Sequence, residues 1–375
     1  MAQQTQESPI IEAKSLSKII YQIFDLARKE RGFIAMIGVI TLLIAFLYPY
    51  PQVAMWVGFA LAGYSAIAND SIQTIGTFIA SNSHRKWWIL WLFMGGIFVV
   101  TVAYSFVNFG GDVTYGRLAV KGLDTAPTSF NFLQLFAPVV LLILTRLRMP
   151  VSTTFLLLNV FSEEATTIGK IALKSLQGYI IAFVAAIVVW ILVRKFVEGF
   201  LKGKPKKIWI WLQWITSGFL WSFWIQQDAA NIAVFLPRAL DLQQFLVFAG
   251  FIFLGLGILF YLRGDKIQGI VNEKSGVTDV RAATLVDFVY AIILFQFKIV
   301  SAIPMSTTWV FIGLLGGREL AIALTKKLDK RKKEGMRASW RMIRGDAFRA
   351  LIGLLVSLIM ALMINDALRM EILGF

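Results

Sequence analysis

The sequence predicts an all-α polytopic membrane protein of about 11 transmembrane spans, some of them broken or half helices, in two inverted-topology repeats. Three observations predict it. Hydrophobic residues make up 58% of the 375-residue chain and charged residues only 16%, where soluble domains are roughly 45–50% apolar. The apolar residues come in blocks of about 20, the length that crosses a hydrocarbon core. Two short polar motifs each occur twice inside those blocks, in the same order and at similar separation.

The elements follow in order. Residues 1–32 are polar and mixed in charge, a cytoplasmic or interfacial segment with no cleavable signal pattern. Within it Ser15–Ala27 has roughly helical apolar spacing, and reads either as a helix on the membrane surface or as a cytoplasmic tail. The crossings are expected at 33–49, 52–80, 87–107, 131–147, 151–168, 177–195, 208–236, 243–262, 282–299, 304–325 and 350–366. The net charge of +15 would suggest nucleic acid in a soluble protein. Here Lys and Arg sit in short segments beside apolar runs, so the positive-inside rule accounts for them, with anionic lipid as their partner and no nucleic acid. Cysteine is absent, which excludes disulfides and thiolate metal sites. The lone His84 lies beside Arg85 and Lys86 and reads as a solvated loop residue.

The basic loops also set direction. With Arg28, Lys29 and Arg31 inside, the loops His84–Lys86, Arg146–Arg148, Arg194–Lys207, Arg263–Arg281 and Lys326–Arg349 all fall inside, and Asn108–Asn131 falls outside. The expected location is the cell (inner) membrane, multi-pass. Residues 33–49 stand apart as a first helix. Five crossings make repeat 1 (52–195), a basic linker follows (196–207), and five more make repeat 2 (208–366), with a basic cytoplasmic loop at 326–349. An odd number of crossings turns the second set upside down, the common build of secondary transporters.

Each set opens with a carboxylate flanked by amides: Asn69-Asp70-Ser71-Ile72-Gln73-Thr74 in the first and Gln227-Asp228-Ala229-Ala230-Asn231 in the second. Positions i and i+3 share a helix face, so Asp70, Gln73, Thr74 and Thr77 form one polar stripe. Both runs exceed one straight crossing, which suggests a helix broken near the aspartate. An ionised Asp at membrane depth costs about 2.5–3.5 kcal/mol on insertion scales. Capping a broken helix, or pairing with Lys298, would be a purely structural reason to keep it; two at matching places favour a functional one. The fourth crossing of each set opens with Pro150-Val151-Ser152-Thr153-Thr154 or Pro304-Met305-Ser306-Thr307-Thr308. Proline suits a helix start, and the hydroxyls stand beside free backbone N–H groups, a ready anion site. Ordinary N-capping explains one copy better than two.

Hydroxyls, amides and helix N-termini suit a tetrahedral oxyanion, whereas two aspartates alone would repel it. A cation between carboxylate and anion removes that repulsion, so the pattern points to anion and cation binding together. Each net positive charge carried inward gains about 2.3 kcal/mol per 100 mV.

At these residues the sequence resembles the inorganic phosphate transporter (PiT) family of sodium- or proton-coupled permeases, as a divergent member. That family carries two Gly-Ala-Asn-Asp-x-x-Asn and two Pro-x-Ser-Thr-Thr signatures on inverted halves, and the resemblance covers roughly residues 52–325. It implies symport of inorganic phosphate by alternating access, with Na+ or H+ as coupling cation, no other cofactor, and a homodimer. It implies cation binding by Asn69, Asp70, Gln227 and Asp228. Phosphate would be held by Gln73, Thr74, Asn231, Ser152, Thr153, Thr154, Ser306, Thr307 and Thr308. Departures are Gln73 and Gln227 for Asn, Ile67 and Gln226 near the missing Gly, and Phe155 and Trp309 where the family has His. Longer amides would resize the pocket, which leaves sulfate or another oxyanion open. An ion channel is disfavoured by paired motifs around a closed site. A lipid-directed enzyme would need a nucleophile–base or metal cluster; Glu163-Glu164 is the nearest candidate and reads as an interfacial or gating pair, so no enzyme is expected.

Overall fold

A computed structural model describes residues 30–147, 151–162, 165–200, 203–262, 279–300, 305–325 and 330–373. Every regular element among them is helical: α1 (Arg31–Leu47), α2 (Pro51–Ser81), α3 (Trp87–Asn108), α4 (Phe132–Arg146), α5 (Ala165–Phe200), α6 (Ile208–Ala233), α7 (Leu242–Tyr261), α8 (Val280–Val300), α9 (Thr307–Thr325), α10 (Lys330–Ile364) and α11 (Asp366–Leu373). α1 is a separate unit, a 17-residue apolar helix. Residues 48–375 form the other unit.

Local chemistry sets the helix ends. Pro51 opens α2 at a first-turn position, where its missing N–H costs nothing. α4 and α7 begin with capping boxes. Asn131 Oδ1 accepts the Leu133 N–H at 3.0 Å while Gln134 Oε1 accepts the Asn131 N–H at 2.9 Å. Asp241 and Gln244 repeat the exchange at 2.8 and 3.1 Å.

Among the described residues six helices are long and apolar enough to cross a membrane: the whole of α3 and α7, and parts of α5, α8, α9 and α10. Their outward faces are apolar too, for example Val100, Val107, Ile180, Leu192, Leu254, Ile258, Leu355 and Ile359. A helix apolar on both its packed and its exposed face belongs in lipid, and the chain is an integral multi-pass membrane protein. α2 and α6 match these helices in length but are less apolar, because they carry the polar motifs.

Three expectations are corrected. α2 and α6 run as unbroken helices through Asp70 and Asp228; neither motif contains the proline needed to interrupt the ladder. The span expected at 151–168 is not one helix. Irregular backbone at Val151-Ser152 leads into a π-helical turn (Thr154–Leu158) and a 3-10 turn (Asn159–Phe161), and Ser162 is extended. α5 then starts at Ala165, not near 177. Finally, most of the loop expected at 326–349 is helical, since α10 starts at Lys330 and continues into the apolar stretch. Straight-chain Lys, Arg, Met and Glu are good helix formers, and their charge disguises the pattern.

The packing is paired. α2 packs on α4 and on α7; α6 packs on α8 and on α3. α2 meets α6, and α3 meets α7. α9 lies along α5, and the short 154–161 segment lies against α10. The α5–α9 approach is close because glycines line it: a Cβ on Gly313 would fall 2.4 Å from the Tyr179 carbonyl oxygen, and one on Gly317 would fall 2.1 Å from that of Phe183.

Candidate functional site

The buried polar residues of α2 and α6 point to where these helices meet the two Ser-Thr-Thr segments. Thr74, Gln227, Asp228 and Asn231 are all buried, Asn231 completely. The Asp70 side chain lies outside the described residues, although its backbone is part of α2. Asn231 Nδ2 donates to Asp228 Oδ1 at 2.6 Å, one turn back, and to Thr154 Oγ1 at 3.2 Å in the opposite half of the chain. Asn69 Nδ2 reaches the Val151 carbonyl at 3.5 Å. The amide before the first aspartate, Asn69, faces a backbone carbonyl, and the amide after the second, Asn231, bridges carboxylate and hydroxyl.

Pro150 and Pro304 lie outside the described residues, but the Ser-Thr-Thr runs are described and buried. Ser152 Oγ accepts the Phe155 N–H at 3.2 Å, and Ser306 Oγ accepts the Trp309 N–H at 3.2 Å. Both serines thus cap their segments in the ordinary way. The third residues of the runs are reciprocal. Thr154 Oγ1 donates to the Met305 carbonyl at 3.4 Å, and Thr308 Oγ1 donates to the Val151 carbonyl at 3.4 Å. The rings that follow, Phe155 and Trp309, meet edge to face at 5.5 Å between centroids. Each half offers the same atom to the same partner in the other half. Ser306 N–H is bound by Ser175 Oγ of α5 at 2.8 Å, and Tyr290 OH by the Thr307 carbonyl at 2.9 Å.

Some polar atoms at this junction have no hydrogen-bond partner among the described residues: both amide atoms of Gln227, and Asn231 Oδ1. An unmade bond on a buried polar group costs about 1–3 kcal/mol.

Sequence reasoning missed three residues. Asn159 is 1% exposed and its amide nitrogen and oxygen are likewise unpartnered. It follows Thr154 by five residues, one turn of the π-helix between them; a lone Asn within Leu-Leu-Leu-Asn-Val-Phe was the available signal. Asp287 of α8 is buried and accepts from Thr77 Oγ1 at 2.7 Å and from Ser217 Oγ. Arg117 is the third. The α3–α4 connection folds tightly: Asp112 accepts the N–H groups of Thr114 and Gly116 at 2.7 and 2.6 Å, and Tyr115 OH donates to the Thr101 carbonyl at 2.6 Å. This turn buries Arg117 to 4% exposure. Burial pushes its guanidinium down to about 10, and the charge of Asp228 opposes that fall. Arg117 therefore stays cationic at neutral pH and shares a field with the motif carboxylate.

No family model matches the sequence, and no curated protein matches it. Among solved structures, the chain is similar to a sodium-dependent phosphate transporter, with a TM-score of 0.49 and 17% sequence identity over 83% of this chain and 99% of that one.

Proposed function

We propose that the chain is a cation-coupled symporter of inorganic phosphate working by alternating access, built from two inverted five-span repeats after one additional helix. The observation that carries the reading is the reciprocal bonding of the two Ser-Thr-Thr runs, Thr154 to Met305 and Thr308 to Val151, with Asn231 and Asp228 joined to it. The two Ser-Thr-Thr runs, Asn69 of the first motif and Asp228 with Asn231 of the second meet at one buried place near the junction of the halves, which supports reading it as the substrate site of a secondary transporter. Ser152, Thr153, Thr154, Ser306, Thr307 and Thr308 with Gln73, Thr74 and Asn231 surround the anion. Asn69, Asp70, Gln227 and Asp228 take the cation, Na+ or H+. Helix N-termini and hydroxyls supply hydrogen bonds to a tetrahedral oxyanion, and the Arg117 charge adds to them. The cation offsets the repulsion between anion and carboxylates. The working unit is a homodimer in the inner membrane.

The test is radiolabelled phosphate uptake into proteoliposomes under an imposed sodium or proton gradient, with sulfate as competitor. Gradient-driven uptake that phosphate competes for and sulfate does not is the expected result. Uptake blocked equally by sulfate would move the substrate to another oxyanion, and no concentrative uptake of either would end the reading.

A further inference from the structure

Asp287 is not among the groups assigned above to the anion or the cation, yet it is as deeply buried as Asp228. Its carboxyl group is 1% exposed in the middle of α8. Thr77 Oγ1 of α2 donates to one carboxyl oxygen at 2.7 Å, and Ser217 Oγ of α6 donates to the other. No basic side chain pairs with it among the described residues. The charged and titratable groups on the helices around it are directed elsewhere or lie further along. On α8, Arg281 is bound to Asp279 and Tyr290 to the Thr307 carbonyl, while the Lys298 side chain lies outside the described residues. On α9, Arg318 pairs with Glu319 over the Trp190 ring. α5 carries Lys170, Lys174 and Tyr179, and also Arg194, Lys195 and Glu198, whose side chains lie outside the described residues; α2 carries the exposed Tyr64 and Asp70, seven residues before Thr77; α6 carries Asp228, eleven residues after Ser217.

A permanent carboxylate held by two hydroxyls at membrane depth is costly, so this acid requires a cation. A metal cation would need several more oxygens. α2, α6 and α8 run unbroken through Thr77, Ser217 and Asp287, so their carbonyls are committed to helix bonds and cannot serve as the unwound backbone of transporter ion sites does. A proton needs one oxygen.

The surroundings give it a direction. At 1.5 Å per residue, Thr77 lies about 10 Å along α2 from Asp70, and Ser217 lies about 16 Å along α6 from Asp228. One turn further from the motif aspartates is a second buried polar layer. Gln213 Nε2 donates to Ser81 Oγ, Asn82 Nδ2 to Gln213 Oε1 at 2.8 Å, and Trp214 Nε1 to Asn82 Oδ1 at 3.1 Å. Beyond it are the exposed residues His84 and Lys86.

We propose that Asp287 is a proton-binding site of the transport cycle, which takes up one proton beside the anion site and passes it along this polar file to the face carrying the α2–α3 loop. The inference rests on reading the chain as a coupled anion transporter, and it adds a proton at Asp287 to the cation held by the motif aspartates. On loading, an O–H bond forms on one carboxyl oxygen. The hydrogen bond there reverses, so the acid donates to Thr77 or Ser217, and that hydroxyl turns its hydrogen to a carbonyl of the preceding turn. On release the O–H bond breaks and the proton passes to water.

Infrared difference spectroscopy of the full chain in lipid tests this without phosphate. A protonated-carboxyl band should titrate in the wild type and be missing in Asp287→Asn. Thr77→Val with Ser217→Ala, which removes the donors favouring the charged form, should move the midpoint upward by about one pH unit. In proteoliposomes, Asp287→Asn should lose at least about tenfold of the uptake driven by an inward acid gradient. If no band between about pH 4 and 10 depends on Asp287, or if acid-driven uptake survives in Asp287→Asn, the site is not a proton site. Should Asp287→Asn fail to fold, Asp287→Glu must shift the midpoint, and an unshifted one overturns the proposal. A titrating Asp287 band in a protein that transports no phosphate would sink the phosphate reading alone.

Discussion

Asp228 and Asn231 illustrate how one helix face can serve two ligands. The i,i+3 spacing lets the Asn231 amide nitrogen hold the carboxylate and Thr154 at once, while its oxygen and both Gln227 amide atoms have no partner among the described residues. Asp228→Asn removes the charge but keeps the shape, so it should abolish coupled uptake, by at least about a hundredfold, with little change in thermal unfolding. Loss of folding would instead mark the carboxylate as structural, and undiminished uptake would remove its role with the cation. Arg117→Gln removes a buried positive charge that acts on Asp228. The half-saturating phosphate concentration should rise about tenfold, equivalent to about 1.4 kcal/mol, with Arg117→Lys in between. An unchanged value would confine Arg117 to holding the α3–α4 turn. The motif residues were legible in the sequence because polar groups are expensive in an apolar run. Arg117 was not, because it sits in a polar connection where a buried arginine looks like any exposed one. Asp287 stood alone in its helix; its partners Thr77 and Ser217 are 210 and 70 residues away in sequence, and only the fold joins them.

At the scale of elements, apolar block length located most helices to within a few residues, α3, α7 and α8 among them. It failed where the backbone is irregular. Residues 151–162 are apolar enough to read as a helix, yet the run passes through irregular, π, 3-10 and finally extended backbone. Composition reports burial, not hydrogen-bond register, and so could not distinguish these. The same blindness hid the closeness of α5 and α9, which depends on two glycines whose partners are backbone carbonyls. Gly317→Val would place side-chain atoms against the Phe183 oxygen, already 2.1 Å from the Cβ position. Overpacking of this kind costs about 1–3 kcal/mol, and the variant should lower the melting temperature in detergent. Gly96→Ala, with nothing within 4 Å of its Cβ position, is the control that should leave it unchanged. Equal melting temperatures would mean that the α5–α9 contact contributes little to stability.

For the molecule as a whole, the relation between halves is the feature that organises everything else. α2 with α4 answers α6 with α8, α2 with α7 answers α6 with α3, and the reciprocal threonine bonds sit where the halves cross. That pairing follows naturally if the second half is the first turned over, as the basic loops suggest. The absence of cysteine makes a direct test simple, since any introduced thiol is unique. Ser83 and Ala239 are both exposed and lie just beyond the ends of the two motif helices, α2 and α6. In parallel repeats the two would face the same side of the membrane; in inverted repeats they face opposite sides. Ala239→Cys in intact cells should therefore react with a membrane-impermeant maleimide, and Ser83→Cys should react only after the membrane is opened. Lys204→Cys, in the basic linker, should behave like Ser83→Cys because the positive-inside rule puts both in the cytoplasm. Labelling of Ser83→Cys and Ala239→Cys from the same side would separate the two halves' likeness from any inversion, and the inverted-repeat reading would fall.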